Sequence, residues 1–197
     1  MKIIEPRFKI MVIMASGKTL ELIEDAGRTC YKSESDQPAE KFVAMIVKRG
    51  HHSVLEHSCM TVRFICDRGV SHEIVRHRLA SYSQESTRYC NYEGVGITLI
   101  HPSGLSFMQR SRREDHFWDV QRLYDEEIRD GLSPQIARGV LPTALKTEIV
   151  MSANFREWRH IFTLRCAKAA HPQMREIMIP LLTECKKLIP IIFNDIG

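Results

Sequence analysis

The chain predicts an α+β fold, a central β-sheet flanked by helices, and three observations lead there. Helical and strand-like segments follow one another irregularly, with helices first and then strands and helices interleaved. No Gly-rich turn joins a strand to a helix, so a dinucleotide-binding βαβ unit has no support. The 197 residues are 44% hydrophobic and 26% charged, an ordinary globular balance that suffices for a single domain over residues 1–197.

Residues 1–14 read as an extended apolar segment. Ser16 is placed to cap a helix over "GKTLELIEDAGRTCYKS", where Leu20, Ile23 and Ala26 form a stripe. Asp36 is placed to cap a second helix, with Pro38 near its first turn and Gly50 as its stop. Residues 58–67, "SCMTVRFICD", alternate and are rich in β-formers, which predicts a strand. Residues 70–79 read as a helix, followed by a polar loop over 80–90. "GITLIHP" is a second strand. "SFMQRSRREDHFWDVQRLYDEEIRDG" is a long charged helix ending at Gly131, and Ser133 and Pro134 open a short one. "TALKTEIVMSAN" reads as a strand and "REWRHIFTLRCAKAA" as a helix. His171 and Pro172 then break and restart a helix that runs to about Lys187.

Composition excludes several classes of function. The net charge of +4, from 28 basic and 24 acidic residues, is too mild to argue for nucleic acid. Its distribution says more, because Arg156–Arg175 holds five basic residues against the single acid Glu157. The six cysteines form no C-x-x-C pair, and the start of the chain is no secretory signal, so reduced thiols and a cytoplasmic location are expected. No apolar run approaches the length of a membrane span.

The densest functional signal is "RHRLASYSQESTRY", Arg76–Tyr89, with three arginines, a histidine, three serines, a threonine, a glutamine and a glutamate. If the first part is helical, Arg76 and Arg78 stand about 200° apart and cannot enter one pocket from one side. They would serve different parts of a long ligand, or one would serve a neighbouring subunit. If Gln84–Arg88 is extended, Gln84, Ser86 and Arg88 fall on one side. An amide, a hydroxyl and a guanidinium aimed together suit a planar base attached to a phosphate. A solvated surface paired with Glu73 and Glu85 is the alternative.

Other stretches carry weaker signals. "RGHHSVLEHS" places His52 and Glu56 at i, i+4 if helical. It lacks H-E-x-x-H and any third ligand, so a polar pocket wall or satisfied structural histidines are favoured over a metal site. Trp158, Ile161 and Phe162 have core spacing, which leaves the arginines around them available to a ligand or a partner chain. In "AHPQMRE", Pro172 puts Arg175 in the first turn of a helix, where free N–H groups and the guanidinium would stabilise an anion; a surface arginine is the bland alternative. Ser86 and Cys90 lack a nucleophile elbow or an evident base.

Taken together, "RHRLASYSQES" has the form R-H-R, seven residues, then S, and it resembles the signature of the flavin-dependent thymidylate synthases. "GHHSVLEHS" upstream resembles that family's G-H-x-S/T-x-x-E-H segment. "STRY", "LPTALKTEIVMSANFREWRHIFTLR" and Arg175 follow in order, so the resemblance runs from about Gly50 to Arg175. It implies that Ser53, Arg76, His77, Arg78, Gln84, Thr163 and Arg165 bind FAD. It implies that Glu73, Ile74, Val75, Arg76, Gln84, Glu85, Ser86, Thr87, Arg88 and Arg175 line dUMP, with His51 on the flavin and folate side. Arg175 would sit against the uracil ring and favour loss of its N3 proton. A homotetramer with sites between subunits, bound to no nucleic acid and no membrane, is implied too, and no metal.

The implied reaction is reductive methylation of dUMP to dTMP. The carbon would come from 5,10-methylenetetrahydrofolate by way of the flavin and the reducing power from NADPH, with no enzyme nucleophile. The chain departs from the family pattern in places. Gln84 stands where some members have glutamate, and Glu148 where some have a base, and an acid at 148 cannot grip a phosphate. Thr163 replaces a frequent asparagine. Ala169 replaces a polar residue, with His171 as the nearest substitute. Two rival classes predict other behaviour: a nucleic-acid module binds with steep salt dependence, and a metal-dependent hydrolase using His51, His52 and Glu56 loses activity with chelator.

Overall fold

The computed structural model describes residues 1–32 and 37–197. The chain is α+β. Its strands are β1 (Lys2–Ile3), β2 (Arg7–Ile13), β3 (Cys59–Asp67), β4 (Ala80–Gln84), β5 (Thr98–Leu99) and β6 (Lys146–Asn154). Its helices are α1 (Ser16–Tyr31), α2 (Ala39–Lys48), α3 (Arg68–Ile74), α4 (Phe107–Arg129), α5 (Pro134–Ala137), α6 (Phe155–Arg165), α7 (Pro172–Leu188) and α8 (Pro190–Phe193), with 3₁₀ turns at His52–His57 and Arg138–Val140. One sheet has the order β2-β3-β6-β4; β1 and β5 form a separate parallel pair, with Lys2 opposite Thr98. Among the described residues, no helix is long and apolar enough to cross a membrane.

The chain divides into two compact units. One comprises Met1–Arg7, Phe64–Arg76 and Ser83–Val150; the other comprises Phe8–Arg63, His77–Tyr82 and Met151–Gly197. In the first, Ile97, Leu99, Phe117 and Leu145 make a buried cluster flanked by Met1, Tyr92 and Val120. α4 opens with a reciprocal capping box: the Ser106 hydroxyl accepts from the Gln109 N–H, and the Gln109 side chain accepts from the Ser106 N–H.

In the second unit the core is aromatic. Trp158 stacks on Phe162, and Phe155 and Phe162 both meet Phe193 edge-on at 5.6 and 5.7 Å. The Trp158 indole donates to the Met60 carbonyl at 3.0 Å, so the ring is buried without stranding its polar atom. The core spacing expected for Trp158, Ile161 and Phe162 is thus observed, and all three are buried.

Strands β3 and β6 bury alternate residues, as a period of two requires. Several boundaries differ from expectation. Ala15, not Ser16, takes the N-cap position of α1, and no side chain caps that helix. Asp36, expected to cap α2, lies outside the described residues; Pro38 precedes the helix directly. The strand expected over "GITLIHP" shrinks to Thr98–Leu99, since only two residues find a partner in β1.

The largest departure is at 68–84. The helix begins at Arg68, because the Asp67 carboxylate accepts from the Val70 N–H at 2.9 Å, and it stops at Ile74. The loop expected over 80–90 instead starts as strand β4. Its Ser81 and Ser83 are exposed while Ala80, Tyr82 and Gln84 turn inward. Sheet pairing has overridden the turn preference of serine, the usual outcome when a neighbouring strand offers a ladder.

Candidate functional site

In the first unit, Glu73, Ile74, Val75 and Arg76 stand at the end of α3. The Arg76 N–H bonds back to the Glu73 carbonyl, which closes a turn. Since α3 ends at Ile74, the helical separation considered for Arg76 and Arg78 does not arise. Ile74 is fully buried and Val75 is partly exposed. Arg76 is exposed and has no acidic partner among the described residues.

The extended conformation considered for Gln84–Arg88 is not adopted. Only Gln84 is in a strand. Its amide donates to the hydroxyls of Ser71 and Thr147 at 2.9 and 3.2 Å, which fixes it from two sides. The chain then turns: the Ser86 carbonyl accepts from the N–H groups of Tyr89 and Cys90, and the Ser86 hydroxyl accepts from the Arg88 N–H. Three free side chains on one strand face therefore do not occur, because a tight turn places Ser86, Thr87 and Arg88 instead. Thr87 is buried at 3.5 Å from Arg138; Arg88 is exposed, its guanidinium 5.5 Å from the Tyr89 ring centre.

Glu85 is bound into the fold. Its carboxylate accepts from the Tyr92 hydroxyl at 3.0 Å, from Lys146 Nζ at 2.8 Å and from the Glu148 N–H at 3.3 Å. Lys146 also lies 3.0 Å from the Glu148 carboxylate. Burial by itself lowers the Lys146 pKa, but the hydrogen bonds and charges of Glu85 and Glu148 outweigh it, and the net direction is upward. Nothing in the one-dimensional pattern singled out Lys146, although residues 146 and 148 share a strand face.

In the second unit, His77 is 5% exposed. Its Nε2 accepts from Arg165 Nε at 2.9 Å, and its Nδ1 faces the Glu157 carboxylate at 3.5 Å. Burial foremost, then the charges of Arg165 and His160, bring its pKa down to about 4. The imidazole is therefore neutral, with Nδ1 protonated toward Glu157 and Nε2 free to receive Arg165. The Tyr82 hydroxyl donates to the His77 carbonyl at 2.6 Å, which fixes the backbone as well. Arg78 next to it is exposed, with no acidic partner among the described residues.

α6 starts where Asn154 accepts from the Glu157 N–H at 2.9 Å, so the cap presents Glu157 to His77. The N-x-x-E spacing in "NFRE" was the available signal for both residues. The arginines of this helix divide by partner. Arg159 forms a two-pronged pair with Asp195 at 2.7 and 2.6 Å and also donates to the Ile192 carbonyl. Arg156 pairs with Glu56 at 2.6 Å. Both therefore tie the chain to itself, and Arg165 is the arginine of this helix placed against His77. Thr163 is exposed, with its hydroxyl donating to the Arg159 carbonyl.

Arg175 lies in the first turn of α7, its N–H bonded to the His171 carbonyl, and Pro172 occupies the opening position as expected. Its Nε is buried and makes no hydrogen bond among the described residues. A buried guanidinium N–H without an acceptor is costly and asks for one.

His51 and Ser53 line a cavity of about 330 Å³ together with Gly27, Cys30, Gly50 and Arg156. The segment 52–57 is a 3₁₀ turn, so the i, i+4 geometry considered for His52 and Glu56 does not arise. His52 Nε2 lies 3.3 Å from the Val47 carbonyl. Among the described residues, no three histidine, cysteine or acidic side chains gather as metal ligands would.

The family profile described as "Thymidylate synthase complementing protein" matches residues 12–191. The chain is 36% identical over 184 residues to a flavin-dependent thymidylate synthase of Geobacter sulfurreducens, a match covering 87% of this chain and 79% of that one. It is 32% identical over 204 residues to one from Pyrococcus abyssi, covering 93% and 82%. Among solved structures, the UMP/dUMP methylase PolB of Streptomyces cacaoi, bound with 5-Br dUMP, superposes with a TM-score of 0.80. At 20% identity over 98% of this chain and 96% of that one, the likeness concerns the fold alone. With the R-H-R segment, its downstream serine and the α7 arginine all inside the matched span, this chain belongs to the thymidylate synthase complementing protein family, that of the flavin-dependent thymidylate synthases.

Proposed function

We propose that this enzyme methylates dUMP to dTMP, with FAD as its flavin, 5,10-methylenetetrahydrofolate as carbon donor and NADPH as reductant, and with no enzyme nucleophile. The observation that carries the proposal is the state of Arg175: a buried Nε without an acceptor, at a helix N-terminus, in a chain of this family. Such a group suits a ring anion that forms during reaction, here the uracil deprotonated at N3.

A dinucleotide flavin is a polyanion, and the cations present suit one. Arg76 and Arg78 are each exposed without acidic partners among the described residues. Ser53, Arg76, Arg78, Gln84, Thr163 and Arg165 would hold the flavin, and His77 would act through Arg165. When bound, the flavin supplies the hydride chemistry that side chains lack. Glu73, Ile74, Val75, Arg76 and Gln84–Arg88 would hold dUMP, His51 would face the flavin and folate side, and Arg175 would polarise the uracil. Burial pushes the thiols of Cys66 and Cys185 up to about 12 and that of Cys166 to about 11, so these three stay protonated, in keeping with a route without thiolate attack. A homotetramer with sites between subunits is part of the proposal.

The test is direct. The full chain, incubated without oxygen with dUMP, methylenetetrahydrofolate and NADPH, should form dTMP only when FAD is present, and the yellow protein should bleach with NADPH. A flavin-loaded protein that forms no dTMP would refute the proposal.

A further inference from the structure

We infer that Lys146 is a positioning residue for the nucleotide turn Ser86–Cys90, holding it in place through Glu85 without touching the substrate. The inference rests on the thymidylate synthase proposal and deepens it. Glu85 stands at the entrance of the turn. On one side it is held to β6, by its N–H to the Glu148 carbonyl at 2.8 Å and by its carboxylate to Lys146 at 2.8 Å. On the other it accepts from Tyr92, two residues beyond the turn's exit, at 3.0 Å. One carboxylate thus brackets the segment that carries Ser86, Thr87 and Arg88. Burial, then Glu85, pushes the Tyr92 phenol upward in pKa, which keeps it a hydrogen-bond donor.

The charges decide between gripping a phosphate and clamping a loop. Lys146 lies between two carboxylates, Glu85 at 2.8 Å and Glu148 at 3.0 Å. Both contacts engage the same ammonium, so the lysine's positive charge is committed within the chain rather than offered to a phosphate. Glu148 is the second arm of the clamp. Lys146 and Glu85 are each 19% exposed, sheltered enough for the pair to hold one geometry. Without the ammonium, two carboxylates would face each other at the mouth of the turn, and it would open.

Lys146→Met keeps the aliphatic stem and removes the charge; Lys146→Arg restores the charge. In flavin-loaded full-length protein, Lys146→Met should raise the KM for dUMP about tenfold, with kcat within about twofold of wild type, and Lys146→Arg should recover most of the loss. Flavin content should not change. In ligand-free protein, amide exchange over residues 86–90 should speed up in Lys146→Met and return in Lys146→Arg. An unchanged dUMP KM overturns the inference, whatever the exchange shows. So does a parallel loss of flavin and kcat, which would mark Lys146 as a general support of the fold. If the wild type forms no dTMP while the exchange responds as stated, the thymidylate synthase proposal fails and the clamp on the turn stands.

Discussion

Acid should weaken this protein through His77, and the size of the effect follows from how the ring is held. The imidazole pKa is about 4 in the fold, against 6.5 for an ordinary histidine. Between those values the unfolded chain binds more protons. The contribution is therefore fully present above pH 6.5 and is lost as the pH falls from 6.5 through 4. The whole shift corresponds to about 3 kcal/mol, of which about 2 kcal/mol falls between pH 7 and pH 5. Glu157 favours the imidazolium, which reduces the loss, so about 1–2 kcal/mol is the working figure. The physical event is that Nε2, once protonated, no longer accepts from Arg165. His77→Gln offers a carbonyl acceptor that does not titrate. Urea unfolding at the two pH values should show wild type losing about 1–2 kcal/mol more than the variant. Identical pH dependence in both proteins would refute the link between His77 burial and Arg165.

Three more outcomes are expected. Arg175→Ala should keep its flavin and lose dTMP formation, measured by visible absorbance and by product analysis; unchanged turnover would remove the role assigned to the buried Nε. Cys90→Ala should remain active, because no thiol attacks uracil in the proposed route, and a folded, flavin-loaded but inactive variant would count against that route. Asn154→Ala should cost about 1 kcal/mol in denaturant unfolding through loss of the α6 cap, with a larger loss of flavin affinity than other caps would cause, since Glu157 and His77 depend on that helix start.

The readable parts of this chain were those where local periodicity and burial agree. α2, α4, α6 and α7 were marked by apolar spacing or by caps such as Pro172 and Gly131, and β3 by its alternation of β-forming residues. β4 was hidden because "ASYSQ" carries turn-forming serines and becomes a strand only beside its neighbour in the sheet. The arginines were legible as a group but not in their duties: Arg156 and Arg159 hold Glu56 and Asp195, partners 100 and 36 residues away in the chain.

The amino-acid order alone determined the class of chemistry. A run of guanidinium, hydroxyl and amide groups suits a nucleotide-like anion or a solvated surface, and it was the resemblance of the R-H-R pattern and its companions to a family, borne out by the profile over residues 12–191, that pointed to the first. Which of those groups remain available was decided only by the tertiary structure. Long-range packing committed Glu85 to Lys146, kept His77 neutral by burial first and the charge of Arg165 second, and left the Arg175 Nε buried without an acceptor among the described residues. The reason is that burial and charge pairing act between residues distant in the chain, so no local pattern can report them.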